Sequence, residues 1–146
     1  MEIRHMLVPT DFSEPSKHAL EYAFALAQTF GAKVSLLHVI EPPTYPAEGY
    51  APTWGATLLE DLERSARVEL ANLLPGAEAA HVDVARLVVM GNPYREIVQT
   101  AEAEKVDLIV MATHGRTGLS HLVMGSVAER VVRTASCPVL TVRPTV

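Results

Sequence analysis

Apolar positions along this chain switch repeatedly between two spacings. Arg4–Pro9 holds a short apolar run, Met6-Leu7-Val8, of the length of a buried strand. Thr10-Asp11-Phe12-Ser13-Glu14-Pro15 then supplies turn and capping residues. Behind it Leu20, Ala23, Ala27 and Phe30 recur at helical spacing, and Gly31 stops the helix. Val34–Ile40 predicts a second buried strand. Leu59, Leu62, Ala66, Leu70 and Leu73 predict a second helix, ended by Pro75-Gly76. Val82–Met90 reads as strand. Asn92-Pro93 is a helix start, an N-cap followed by proline in the first turn, with Tyr94, Ile97, Val98 and Ala101 on one face. Asp107–Thr113 predicts a strand buried on both sides. A last helix runs from Ser126 to about Thr134, and Cys137-Pro138 leads into a final strand, Val139–Val142.

Strands that are continuous apolar runs, separated by helices, imply a parallel sheet covered on both faces. The expected fold is a doubly wound α/β sandwich of five strands and four helices. At 146 residues the chain suits one domain, 1–146.

Composition narrows the function. A chain 49% hydrophobic and 20% charged has material for a core, which excludes wholesale disorder. Seventeen acidic against twelve basic residues leave a net charge of −5, which argues against a nucleic-acid or anionic-membrane partner. The single cysteine, Cys137, permits no intramolecular disulfide and no Cys-based zinc site, and reads as a buried, inert thiol. No apolar run approaches the roughly 18–20 residues that cross a bilayer. Met1–His5 does not read as a signal peptide, so a soluble cytoplasmic domain is the expectation.

In an open parallel sheet, ligands bind at the carboxyl ends of the strands, where strand order reverses. Three segments at such ends carry unusual residues: Pro9-Thr10-Asp11, His38-Val39-Ile40, and Met111-Ala112-Thr113-His114-Gly115-Arg116-Thr117-Gly118 continuing to Gly125-Ser126. The third has the ingredients of a phosphate cradle. Gly115 and Gly118 let backbone approach a ligand closely, and Gly125-Ser126 opens a helix whose first N–H groups are unpaired and partially positive. Arg116 adds a cation, and Arg130 lies one turn beyond Ser126. The expectation is that main-chain amides flanking Gly115 and Gly125 converge on a ligand's negative oxygens.

Each of these residues has a plainer reading. Ser126-Val127-Ala128-Glu129 is a capping box, so Ser126 is equally a cap of its own helix. Asp11 forms an Asp-x-x-Glu box with Glu14, with Ser13 competing for the cap position. As a site residue, its carboxylate would accept from a ribose hydroxyl or hold a metal bridging to phosphates. The proline-rich stretch Glu41–Ala56, with Tyr45, Tyr50 and Trp54, is long for a loop and reads either as a solvated connection or as a lid or subunit contact. Catalytic constellations find less support. There is no P-loop and no G-x-S-x-G elbow, the six histidines include no close pair at metal-ligand spacing, and nothing in the spacing favours a Ser126/His114/Asp11 triad.

Taken together, these residues carry a resemblance. Leu7-Val8-Pro9-Thr10-Asp11-Phe12-Ser13, Leu37-His38-Val39-Ile40, Gly91-Asn92-Pro93, Val106-Asp107-Leu108-Ile109-Val110-Met111, Thr113-His114-Gly115-Arg116-Thr117-Gly118, Gly125-Ser126-Val127-Ala128-Glu129-Arg130 and Cys137-Pro138-Val139-Leu140 resemble the universal stress proteins of the UspA superfamily, essentially end to end. The resemblance implies a Rossmann-like parallel sheet of strand order 3-2-1-4-5. It also implies a homodimer, often formed through the last strand, and a division into members that bind ATP and members that do not. Binders resemble G-x2-G-x9-G-[ST]. Here Gly115 and Gly125-Ser126 match, while Ala112 stands at the first glycine, where an added methyl would lie against the nucleotide.

By matching position, the resemblance puts Pro9, Thr10, Asp11 and Val39 around adenine and ribose, with Met111 and Ala112 nearby. It puts Gly115, Gly125, Ser126 and Val127 at the phosphates. Arg116 is added from its charge and location. The implied role is an adenine-nucleotide-binding stress sensor or regulator, taking ATP, or AMP or ADP, with Mg2+ as a companion ion. No general base is evident, so at most slow ATP hydrolysis is expected. The alternative is a dimeric interaction module of the same fold that binds no nucleotide.

Overall fold

The structure, a computed structural model, describes residues 1–42, 56–73, 81–115 and 124–144. Its elements are β1 (His5–Pro9), α1 (Glu14–Phe30), β2 (Lys33–Ile40), α2 (Ala56–Asn72), β3 (Val84–Met90), α3 (Pro93–Ala103), β4 (Leu108–Ala112), α4 (Ser126–Thr134) and β5 (Val139–Val142). Every expected element is present. The third strand begins at Val84 rather than Val82, and β4 is one residue shorter at each end than the apolar run Asp107–Thr113. Asp107 instead turns its carboxylate onto the N–H groups of Arg4 and His5, each at 2.9 Å, which ties the start of β4 to the start of β1. The stop at Pro75-Gly76 and the tip of the 41–56 stretch lie outside the described residues.

All neighbouring strands are parallel, in the order β3-β2-β1-β4-β5. Strand residues therefore alternate between two cores. Met6, Val8, Val34, Leu36, Leu108, Val110, Ala112 and Val142 pack on the face covered by α1 and α2, around Phe24, Ala23 and Leu70. Leu7, Leu37, Ile109 and Met111 pack on the other face, against Ile97 and Ala101 of α3 and Ala128 and Val131 of α4. Helix α1 ends where Gly31 adopts φ +66°, the left-handed conformation that glycine enters without a Cβ penalty.

The chain adds β2 and β3 on one side of β1, then crosses back to lay β4 on the other. Order reverses between β1 and β4, and the two strands separate toward their carboxyl ends. β1 pairs with β2 as far as Pro9↔Leu37, but with β4 only at Met6↔Leu108 and Leu7↔Ile109. The cause is local. Thr10 N–H reaches Leu37 O of β2 at 2.8 Å, so the alternate position, Pro9, faces β4, and proline has no N–H to donate. The ladder ends there and a cleft opens.

Candidate functional site

The cleft encloses about 530 Å³, within the roughly 300–1,000 Å³ usual for small-ligand sites. The β1 end contributes Pro9, Thr10 and Asp11, and the β2 end contributes His38, Val39 and Glu41. The β4 end contributes Met111 and Ala112, followed by the loop Thr113-His114-Gly115. The far wall is the start of α4: Gly125, Ser126 and Val127. The structure thus brings ten of the eleven sequence-predicted site residues to one cleft. The eleventh, Arg116, lies outside the described residues.

Several expectations about these residues change. Asp11 does not cap α1. Ser13 does, its side chain accepting from Ser16 N–H at 3.4 Å. Asp11 Oδ1 accepts from the Ser13 N–H at 3.0 Å and from the Ser13 hydroxyl, closing a tight turn over Phe12. Ser126 does not cap α4 either. Gly125 occupies the N-cap position, and Ser126 is the first helical residue, exposed at the cleft. The capping-box pattern is therefore one residue out of register with the observed helix start, because the Gly125 N–H donates to Thr113 O at 2.7 Å and sets where the helix begins. That bond takes up the Gly125 N–H itself. The first intrahelical bond runs from Glu129 N to Gly125 O at 3.0 Å, which leaves the amides of Ser126, Val127 and Ala128 as the donors without intrahelical partners.

The two motif glycines pack against the protein itself. A Cβ on Gly115 would lie 2.5 Å from Asp11 Oδ2. One on Gly125 would lie 3.0 Å from Thr113 O and 3.7 Å from His114 Cα. A side chain at Gly115 would have to displace the Asp11 carboxylate, and one at Gly125 would press on the Thr113 carbonyl. Ala112 stands at the motif's first glycine and is among the residues that line the cleft. Its methyl belongs to the core on the α1 side of the sheet, whereas Met111, Val39, Ile97 and Val127, which also border the cleft, belong to or pack on the opposite core.

The turn from β1 into α1 is unusual. Phe12 has φ +65°, a left-handed conformation that costs a non-glycine residue about 1–3 kcal/mol. Its N–H donates to Thr10 Oγ1 at 3.1 Å, and Thr10 Oγ1 meets Ser16 Oγ at 3.0 Å. The Phe12 ring packs against His38 at a tilt of 34°, centroids 4.4 Å apart. His38 Nδ1 donates to Thr10 O at 2.8 Å, since a carbonyl can only accept. Sequence reasoning placed His38 at a strand end but gave it no role. The signal was its position three residues before Glu41 on the strand beside Pro9-Thr10.

The remaining candidates separate. His114 Nδ1 pairs with Thr113 Oγ1 at 2.8 Å, and no Ser126/His114/Asp11 triad is assembled. Arg130 turns away from the cleft to sit over the Tyr94 ring, 5.1 Å from its centroid. The Cys137 thiol, expected to be buried, is half-buried, and burial pushes its pKa up. His5, at the opposite end of β1, is buried with Nε2 against Ser35 Oγ at 2.8 Å and Nδ1 near Glu104 O at 3.2 Å. Burial lowers its pKa, helped by the nearby Lys33 charge.

Comparison with known proteins agrees with this architecture. Universal stress protein MJ0531 of Methanocaldococcus jannaschii is 38% identical over 143 residues, 96% of this chain and 82% of that one. Universal stress protein MJ0577 of the same organism is 33% identical over 153 residues, covering 96% of this chain and 94% of its own. Its solved structure superimposes with a TM-score of 0.86 across 100% of this chain and 99% of that chain. UspA of Lactobacillus plantarum, 24% identical, shares the fold with a TM-score of 0.84 over 98% and 99% of the two chains. The universal stress protein family model matches residues 2–143, and on that match, with these relatives, the chain belongs to the universal stress protein family.

Proposed function

We propose that the cleft between β1 and β4 binds an adenine nucleotide, ATP or its shorter forms, and that the protein acts in the cytoplasm as a sensor or regulator rather than a fast enzyme. One observation carries the reading. The opening at the switch point is walled by the first turn of α4, whose unpaired amides at Ser126 and Val127 line the same cavity as Gly115 and Gly125. Partially positive N–H groups at a helix start are suited to phosphate oxygens.

The apolar side chains of Pro9, Val39 and Met111 border the same cleft and suit the faces of a purine, while the Asp11 carboxylate suits a ribose hydroxyl. A polyphosphate beside that carboxylate would be repelled, and a Mg2+ ion shared between them offsets the repulsion. The Ser126 hydroxyl, not occupied in capping, is available to donate to a phosphate. Arg116 is part of the proposal by its charge alone.

Universal stress proteins of the same fold have been solved in complex with cAMP and, from Archaeoglobus fulgidus, with dAMP. At 23% and 19% identity they relate to this chain by fold, so the reading rests on the cleft itself. We also propose a homodimer through β5, the last strand in the sheet order, whose Leu140 is 37% exposed beside an edge that pairs with nothing in the sheet.

Heat-denaturing the purified protein and chromatographing the supernatant tests the reading, together with calorimetric titration of MgATP into nucleotide-free protein. Co-purified adenine nucleotide, or saturable heat at one site per chain, is expected. Neither would leave the dimeric interaction module as the function.

A further inference from the structure

Asp11 reaches the cleft from a turn held in an unfavourable conformation. Phe12, directly after it, sits at φ +65°, which a non-glycine side chain keeps only when its surroundings over-determine it. Within the turn, Phe12 N–H bonds Thr10 Oγ1 and Ser13 N–H bonds Asp11 Oδ1. From outside, β2 holds both flanks of Asp11 with one side chain. The His38 Nδ1–H fixes the carbonyl of Thr10, and the His38 ring packs against Phe12. On the next strand pair, Gly115 leaves the space into which Asp11 Oδ2 fits. We infer that His38 is a positioning residue, a clamp that keeps the Thr10–Ser13 turn, and with it the Asp11 carboxylate, preorganised for the ligand.

The effect on affinity rests on the nucleotide reading above; the effect on the turn does not. A preorganised group binds more tightly because the cost of ordering it falls before binding. Releasing Thr10 O and Phe12 lets the turn relax toward commoner backbone angles, and Asp11 leaves Gly115.

Three substitutions in the full chain separate the hydrogen bond from bulk. His38→Asn carries an amide N–H at about the reach of Nδ1. His38→Gln carries one a bond further out, and His38→Leu carries none. In ligand-free protein, amide hydrogen exchange at Phe12 and Ser13 is expected to accelerate in His38→Gln and His38→Leu while the interior of α1 stays protected. His38→Asn, which keeps a donor to Thr10 O but loses the ring against Phe12, is expected to lie between the parent and the other two variants. Titrated with MgATP, His38→Gln and His38→Leu are expected to bind about tenfold more weakly, with His38→Asn within about threefold of the parent. Unchanged exchange at Phe12 and Ser13 in His38→Gln overturns the clamp. So does acceleration spread evenly over β1, β2 and α1 in all three variants, which marks a plain stability loss. If the parent takes up no MgATP, the nucleotide reading falls alone, and the exchange pattern still decides the clamp.

Discussion

Gly115 stands so close to Asp11 that a Cβ on it would lie 2.5 Å from the Asp11 Oδ2. The contact joins the carboxyl ends of β1 and β4, the two strands whose separation opens the cleft. A motif glycine that invites a purely ligand-centred explanation here also gives room to another side chain of the protein.

Gly115→Ala is therefore expected to displace the Asp11 side chain and weaken MgATP binding about tenfold, while the fold persists. In Asp11→Ala the obstructing oxygen is gone, so adding Gly115→Ala should cost little more. The double-mutant cycle in calorimetric Kd should then be strongly non-additive, as for residues in direct contact. Additive losses would show that the two positions act separately.

Gly125→Val has a different expected outcome. Its Cβ would press on Thr113 O at 3.0 Å, beside the 2.7 Å bond from Gly125 N to the same oxygen. The substitution should destabilise the fold by about 1–3 kcal/mol, as overpacking does, and abolish nucleotide binding by shifting the start of α4. Urea denaturation beside MgATP titration checks both. Full stability with lost binding would mean that the side chain fills the cradle instead.

Ala112→Gly restores the family's glycine and is expected to gain nothing in affinity. Ala112 is buried in the α1-side core, so removing its methyl should cost about 1 kcal/mol of stability, from lost burial and added backbone freedom. A tighter Kd for the glycine variant would place the methyl against the ligand.

His5 makes stability depend on pH. Burial holds its folded-state pKa below the ordinary 6.5, so the folded protein favours the neutral ring more than the unfolded chain does. The associated stability is fully present above pH 6.5 and is lost as the pH falls toward the depressed folded value, with a slope of at most about 1.4 kcal/mol per pH unit. Urea midpoints between pH 7.5 and 5 should fall for the parent and fall less steeply for His5→Asn. Parallel slopes would exclude His5 as the titrating group.

Leu140→Lys tests the dimer. Leu140 is on the outer strand, and its side chain is partly exposed on the face shared with Val142. Light scattering at micromolar concentration is expected to give a dimer for the parent and a monomer for the charged variant, with little change in the urea midpoint of the monomer fold.

Much of this molecule is written in local spacing. Apolar runs and three-to-four spacings determined the nine elements and their order, because each side chain's period along its own strand or helix is a property of neighbouring residues. Alternation of strands and helices then determined the parallel sheet, and the expected reversal of strand order pointed to the strand ends, where Pro9, Val39, Met111 and Gly125 line one cleft. Tertiary structure decided what those residues touch. That Asp11 meets Gly115, that His38 holds Thr10 O, and that Ala112 joins the core on the α1 side all depend on residues tens of positions apart being brought into register by the sheet. Caps were settled the same way: Ser13 and Gly125 began their helices because Asp11 closed onto Ser13 and Thr113 O captured the Gly125 amide, bonds that no capping pattern in the sequence encodes.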